Sequence, residues 1–91
     1  MFVRVRSFAG FRYIIGKERD LELAKGGSVE DLLVALCADH ADLRPMLFGE
    51  LGLKEDVNIF VAGKNIASLQ GIKTEIADGD EVALFPAAIG G

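Results

Sequence analysis

The sequence predicts an α+β domain in which strands and one main helix are segregated along the chain. Three observations predict it. Four stretches, residues 2–8, 20–24, 57–61 and 81–85, alternate side chains with period two, as half-buried strands do. Residues 29–37 instead place apolar side chains at helical spacing behind a capping serine. The order is therefore strand, strand, helix, strand, irregular segment, strand, which separates the helix from a sheet built by sequence-distant strands. At 91 residues the chain suits one domain with a single modest core, and it is too small to enclose an active site of its own.

In the first strand Val3, Val5 and Ser7 face one way and Phe2, Arg4, Arg6 and Phe8 the other. The exposed arginines need no special role. Ala9-Gly10 breaks the pattern, and Phe11, Tyr13, Ile14 and Ile15 form an apolar cluster before Gly16. Residues 20–24 alternate again with Leu21 and Leu23 inward, which predicts a short strand forming a hairpin with the first. Ser28 followed by Asp31 three residues on is a helix start, with Glu30 and Asp31 placing negative charge where the helix dipole favours it. Val29, Leu32, Leu33, Leu36 and Cys37 then form the buried stripe. Pro45 is expected to end the main helix, Met46, Leu47 and Phe48 to fold back on the core, and residues 49–56 to form a loop. In the next strand Val57, Ile59 and Val61 face the core, with Asn58 and Phe60 opposite. Residues 62–65 turn, and Ile66, Leu69, Ile72 and Ile76 anchor an irregular stretch. An Asp78-Gly79 turn leads into the last strand, with Val82 and Leu84 on one face, Ala83 and Phe85 on the other, and Pro86 as its stop.

Composition excludes several function classes. A net charge of −4 argues against a nucleic-acid binder, which usually carries a basic stripe. No apolar run approaches the ~20 residues that cross a bilayer, so no membrane role is expected. One cysteine makes no internal disulfide, and no basic and apolar leader opens the sequence, so a reducing cytoplasmic location is expected. One histidine and one cysteine are too few for a metal site, and four thiolates for an iron–sulfur cluster are lacking. Cys37 lies on the core stripe and is expected to pack as a small apolar side chain rather than act as a nucleophile with His40.

The chemistry that remains is at the end of the sequence. Gly90-Gly91 has no side chain at either position, so its backbone can enter a channel too narrow for a Cβ. The α-carboxylate of Gly91 is ionised at neutral pH, with a reference pKa of roughly 3.3–3.7, and can attack the α-phosphate of ATP when a partner enzyme holds both. The resulting acyl-adenylate passes its acyl group to a sulfur or amine nucleophile. No residue of this chain need catalyse anything. The expected organisation is a domain over residues 1–86 carrying a mobile tail over residues 87–91.

The run Asp78-Gly79-Asp80-Glu81-Val82-Ala83-Leu84-Phe85-Pro86-Ala87-Ala88-Ile89-Gly90-Gly91 resembles the C-terminal signature of the MoaD family, the small subunit of molybdopterin synthase. That family is related to ThiS and to small archaeal ubiquitin-like modifiers. Ala87 departs from the pattern, since many relatives have a second proline there. The resemblance implies a ubiquitin-like β-grasp fold, a mixed sheet wrapped around the main helix with the first and last strands parallel at its centre. It further implies a sulfur carrier: a ubiquitin-activating-like enzyme uses ATP to adenylate Gly91, sulfur transfer gives a thiocarboxylate, and the tail enters the large subunit of molybdopterin synthase. This chain itself binds no cofactor in that scheme. Residues 7–12 are similar to the family segment that meets the partner, which makes Phe8 and Arg12 candidate docking residues beside Phe60, Phe85, Pro86 and Ile89. Whether Phe8, Phe60 and Phe85 share one exposed face or pack separately stays open at this point. Two other readings stay open too: a ubiquitin-like modifier joined through Gly91 to lysines of target proteins, and a β-grasp interaction domain with an inert tail.

Overall fold

A computed structural model describes residues 1–86 of the chain. The expectation for residues 87–91, which include Ile89, Gly90 and Gly91, lies outside the described residues. Strand β1 (Phe2–Ser7) buries Val3, Val5 and Ser7 as its alternation dictates. The cluster that follows is a short helix, α1 (Gly10–Ile15), in which Phe11 and Ile15 stand one turn apart and enter the core. Period-two alternation gives no sign of it, and Tyr13 is left 93% exposed on the far side. Strand β2 (Glu18–Glu22) pairs antiparallel with β1, two residues ahead of the position its leucines suggest. Charge favours this register: Arg4 lies opposite Asp20 at 3.2 Å, and Arg6 lies 3.7 Å from Glu18.

Helix α2 (Val29–Asp39) starts as the sequence specifies. The Asp31 N–H donates to Ser28 Oγ, and the Asp31 carboxylate accepts from the Ser28 N–H at 2.9 Å, a reciprocal cap whose removal typically costs ~1 kcal/mol. All five stripe residues are buried. The helix stops at Asp39, well short of Pro45. A 3₁₀ turn (Ala41–Leu43) intervenes, and Pro45 stands in the first turn of a second short helix, α3 (Arg44–Leu47), where a missing N–H breaks no bond. Leu43 and Leu47 are fully buried there, with Met46 and Phe48 partly so. The expected loop over residues 49–56 contains a small hairpin, β3 (Phe48–Gly49) with β4 (Gly52–Leu53).

Strand β5 (Asn58–Val61) turns through Ala62 and Gly63, both at positive φ, into β6 (Lys64–Asn65). Positive φ at both central residues suits the twist of a tight hairpin. Two 3₁₀ turns follow (Ile66–Ser68 and Gly71–Lys73). Ile66 and Ile76 are buried anchors, and Ile72 is half-buried; Leu69 is exposed instead of anchoring. Strand β7 (Glu81–Phe85) completes a five-stranded sheet in the order β2-β1-β7-β5-β6, in which β1 and β7 run parallel and the other pairs antiparallel. The inward faces of β1, β5 and β7 and the stripe of α2 form one core. This is the β-grasp arrangement, with β7 in the middle of the sheet.

The Asp78-Gly79 turn does more than reverse the chain. Asp78 accepts from the Phe2 N–H at 2.7 Å, the Gly79 N–H donates to Phe2 O at 2.7 Å, and Arg4 N–H donates to Asp80 O at 3.0 Å. The turn is thereby stitched to the start of β1 and fixes the parallel register, Arg6 opposite Ala83 and Ser7 opposite Leu84.

Ala62 holds φ at 50°, a conformation that costs an alanine more than a glycine. Replacing Ala62→Gly is expected to raise unfolding stability by about 0.5–1 kcal/mol. Urea titration would read this as a higher midpoint with an unchanged slope.

Candidate functional site

The outward faces of the three central strands differ in character along their length. Near the start of β7 they carry charge, with Arg4 on Asp20 and Arg6 on both Glu18 and Glu81. Near its end they carry rings. The alternation that turns Val82 and Leu84 inward turns Phe85 outward, and the parallel register brings Phe8 alongside it: the Phe8 N–H donates to Leu84 O at 3.1 Å, one residue beyond the end of β1. The two rings stack with centroids 4.3 Å apart and planes 7° from parallel. From β5, Phe60 meets Phe85 edge-on, with centroids at 5.7 Å and planes at 79°. Ala83, the cross-strand neighbour of both Arg6 and Phe60, is small enough to let Phe60 lean toward Phe85. Ring pairs in these geometries contribute about 0.5–1.5 kcal/mol beyond the area they bury.

So Phe8, Phe60 and Phe85 share one face, the arrangement the sequence left open. Each is half-buried, and Pro86 follows Phe85 at the rim. Two guanidiniums frame the pad. Arg12, projecting from α1, lies 5.3 Å from the Phe8 ring centre and donates through Nε to Ser7 O at 3.0 Å. Arg6 lies 5.7 Å from the same ring. Each cation sits over the electron-rich face of Phe8. Arg6 is the member of this cluster that sequence reasoning passed over. Its signal was present, since period two puts it next to Phe8 on the outward face, but only the pairing of β1 with β7 shows that this face meets the end of the sheet.

An aromatic surface with a cationic frame is suited to docking a protein: rings supply contact area at low conformational cost, and guanidiniums supply directional bonds to carboxylates or carbonyls. Cys37 is buried on α2, and burial pushes its thiol above the usual range, with the Arg44 charge opposing that rise. His40 caps the end of α2, where Nε2 meets the Arg19 guanidinium at 2.6 Å, while the other arm of Arg19 holds Asp39 at 2.7 Å. Among the described residues no group of three His, Cys, Asp or Glu side chains is placed to hold a metal ion. No described helix is long and apolar enough to cross a membrane.

The sequence model of the ThiS family matches residues 5–91. The chain belongs to the ThiS family. It is 32% identical over 92 residues to "Small archaeal modifier protein 3" of Haloferax volcanii, covering all of both chains. It is 34% identical over 74 residues to a "Putative sulfur carrier protein" of Archaeoglobus fulgidus, covering 79% of this chain and 84% of the relative. Among solved structures, the "Putative molybdopterin converting factor, subunit 1" of Pyrococcus furiosus superposes with a TM-score of 0.78 at 33% identity, over 97% of this chain and 99% of that one. The ThiS-family match reaches from β1 through the pad to Gly91, so the family assignment rests on the whole grasp and its last residues together.

Burial and the raised thiol pKa predict that Cys37 is slow to alkylate. At pH 8 iodoacetamide is expected to modify it at least tenfold more slowly in the folded protein than in urea, because the thiolate is both scarce and covered. Mass spectrometry over a time course checks this; equal rates would move Cys37 out of the core.

Proposed function

We propose that the chain is a sulfur carrier, charged at Gly91 and discharged into molybdopterin synthesis by docking through the Phe8–Phe60–Phe85 pad. The observation that carries this reading is the course of β7: the middle strand of the sheet runs through the pad at Phe85, and Gly90-Gly91 follow it in sequence by five residues. A docked pad therefore fixes the point from which the last five residues depart, and tethering raises the effective concentration of a reactive end at the partner's site.

In the charging step a carboxylate oxygen of Gly91 attacks the α-phosphorus of ATP held by a ubiquitin-activating-like enzyme, and pyrophosphate leaves. A sulfide-level nucleophile then displaces AMP from the acyl-adenylate to leave a thiocarboxylate. Its soft sulfur suits attack on a pterin carbon within the large synthase subunit, and hydrolysis returns the carboxylate. Gly90 supplies a backbone slender enough for the channel, and Gly91 the reacting carbonyl. The sulfur-carrier name of the Archaeoglobus relative and the converting-factor name of the Pyrococcus structure support this reading.

A second reading has support of its own. The full-length match to an archaeal modifier protein supports transfer of the same acyl-adenylate to target-protein lysines. Both readings share the first step, which needs the carboxylate of Gly91 and the pad.

Deleting Gly90 and Gly91 is expected to leave the circular dichroism spectrum and unfolding midpoint unchanged, since the core described among residues 1–86 runs from Val3 to Leu84. ATP–pyrophosphate exchange by the cognate activating enzyme should be abolished. Phe85→Ala should retain exchange at saturating protein while raising KM by 10-fold or more, as loss of a central interface ring does. Normal exchange by the truncated protein would remove the basis of both readings.

A further inference from the structure

We propose that the pad selects a partner in which a carboxylate borders the apolar side chain that covers the rings, and that Arg6 is the residue that reads it. The inference rests on the pad being the docking surface. Two arginines of β1 face outward, and their bonding differs. Arg4 donates through Nε to Asp20 at 3.2 Å. Arg6 lies 3.7 Å from Glu18 and 3.7 Å from Glu81, beyond hydrogen-bond reach of either. Its Nε is buried without a hydrogen-bond partner among the described residues. The side chain is nevertheless 36% exposed, beside the Phe8 ring, so an incoming group can reach it. A charged donor fork thus stands at the pad with its nearest acids too far away to bond it.

Covering the rings changes what this fork needs. An apolar side chain seated on Phe8, Phe60 and Phe85 also takes water from Arg6 and Arg12, which stand 5.7 and 5.3 Å from the Phe8 ring centre. Arg12 donates through Nε to Ser7 O and has no ion pair among the described residues. A guanidinium that loses water without gaining a counter-charge opposes association. A partner's carbonyl answers the lost hydrogen bond but not the charge. A carboxylate answers both, and its two oxygens match the fork in parallel bonds. Glu18 and Glu81 attract Arg6 without bonding it, so they compete with a carboxylate that comes closer. The whole chain carries a net charge of −4, which opposes an acidic surface in general. Two guanidiniums beside one ring therefore favour the orientation in which such a surface meets the pad.

Removing the cation and removing its competing acid have opposite signs on this account. Full-length Arg6→Gln, Glu81→Gln and Lys73→Gln are compared with the parent in ATP–pyrophosphate exchange by the cognate activating enzyme, with thermal unfolding as a check on the fold. Arg6→Gln should raise KM for the carrier about 10-fold with kcat unchanged, and the gap from the parent should narrow in about 0.5 M NaCl. Glu81→Gln should lower KM about 2- to 3-fold, because the fork loses a competitor. Lys73 pairs with Glu30 in the first turn of α2, so Lys73→Gln makes the same charge change away from the rings and should leave KM unaltered. If Arg6 merely braces Phe8, Glu81→Gln loosens the same side chain and raises KM as Arg6→Gln does. That result, or a parental KM for Arg6→Gln, would overturn the proposal. So would a parent that sediments as a dimer and that Arg6→Gln dissociates, since the occupant would then be a second copy. If Arg6→Gln does not fold, the sign of the Glu81→Gln effect decides. Should the parent itself give no exchange, the functional reading fails, and NMR titration with two short peptides, leucines flanked by glutamates or by lysines, still decides the role of Arg6. Larger shifts of the Phe8 and Phe60 ring resonances with the glutamate peptide, lost in Arg6→Gln, uphold it; equal shifts from both peptides overturn it.

Discussion

The parallel pairing of β1 with β7 is the constraint on which the rest depends. Strands 74 residues apart have no local turn to set their register, so it comes from the Asp78–Asp80 turn bonded across the start of β1. Once Arg6 lies opposite Ala83, strand geometry leaves no choice: Val82 and Leu84 pack on α2, and Phe85 faces outward beside Phe8. A slip of one residue would invert β7, exposing its core side chains and burying Phe85. The same pairing that closes the core therefore builds the pad and decides where residues 87–91 begin.

Charge and aromatic character divide the outer sheet face in a way that serves different ends. Near the start of β7 Arg4 pairs with Asp20, and Arg6 with Glu18 and Glu81; such exposed pairs contribute little stability, roughly 0–1 kcal/mol each, but they favour one register of β2 on β1. Arg6 belongs to both halves, since it meets Glu18 and Glu81 and also stands over Phe8. Phe8 thus has two guanidiniums, Arg6 and Arg12, within 5.7 Å of its ring centre while it stacks on Phe85.

Much of the fold was legible because its elements are locally encoded. The Ser28 cap and the stripe from Val29 to Cys37 predict α2 almost residue for residue, and alternation assigns the inward faces of β1, β5 and β7 correctly. The misreadings share a cause, which is that tertiary context overrode a local signal. Helix α1 is too short for periodicity to reveal; it forms because Phe11 and Ile15 find the core. Pro45 was read as a terminator, whereas α2 ends earlier, at the His40 cap engaged by Arg19. Leu21 and Leu23 do turn toward the core as alternation suggests, but β2 begins two residues earlier, where its charges meet Arg4 and Arg6. The pad residues Phe8, Phe60, Phe85 and Arg12 could be nominated from sequence, but their convergence follows from the β1–β7–β5 order, which sequence-distant pairing alone creates.

The account turns on what becomes of Gly91 in the cell. The most direct measurement is the intact mass of the protein isolated from its own organism, with fragmentation to locate any change. The carrier account predicts a fraction in which one oxygen of the Gly91 carboxylate has been replaced by sulfur. A carboxylate left unaltered under all growth conditions would contradict it, and Gly91 found only in isopeptide linkage to lysines would assign the chain to protein modification instead.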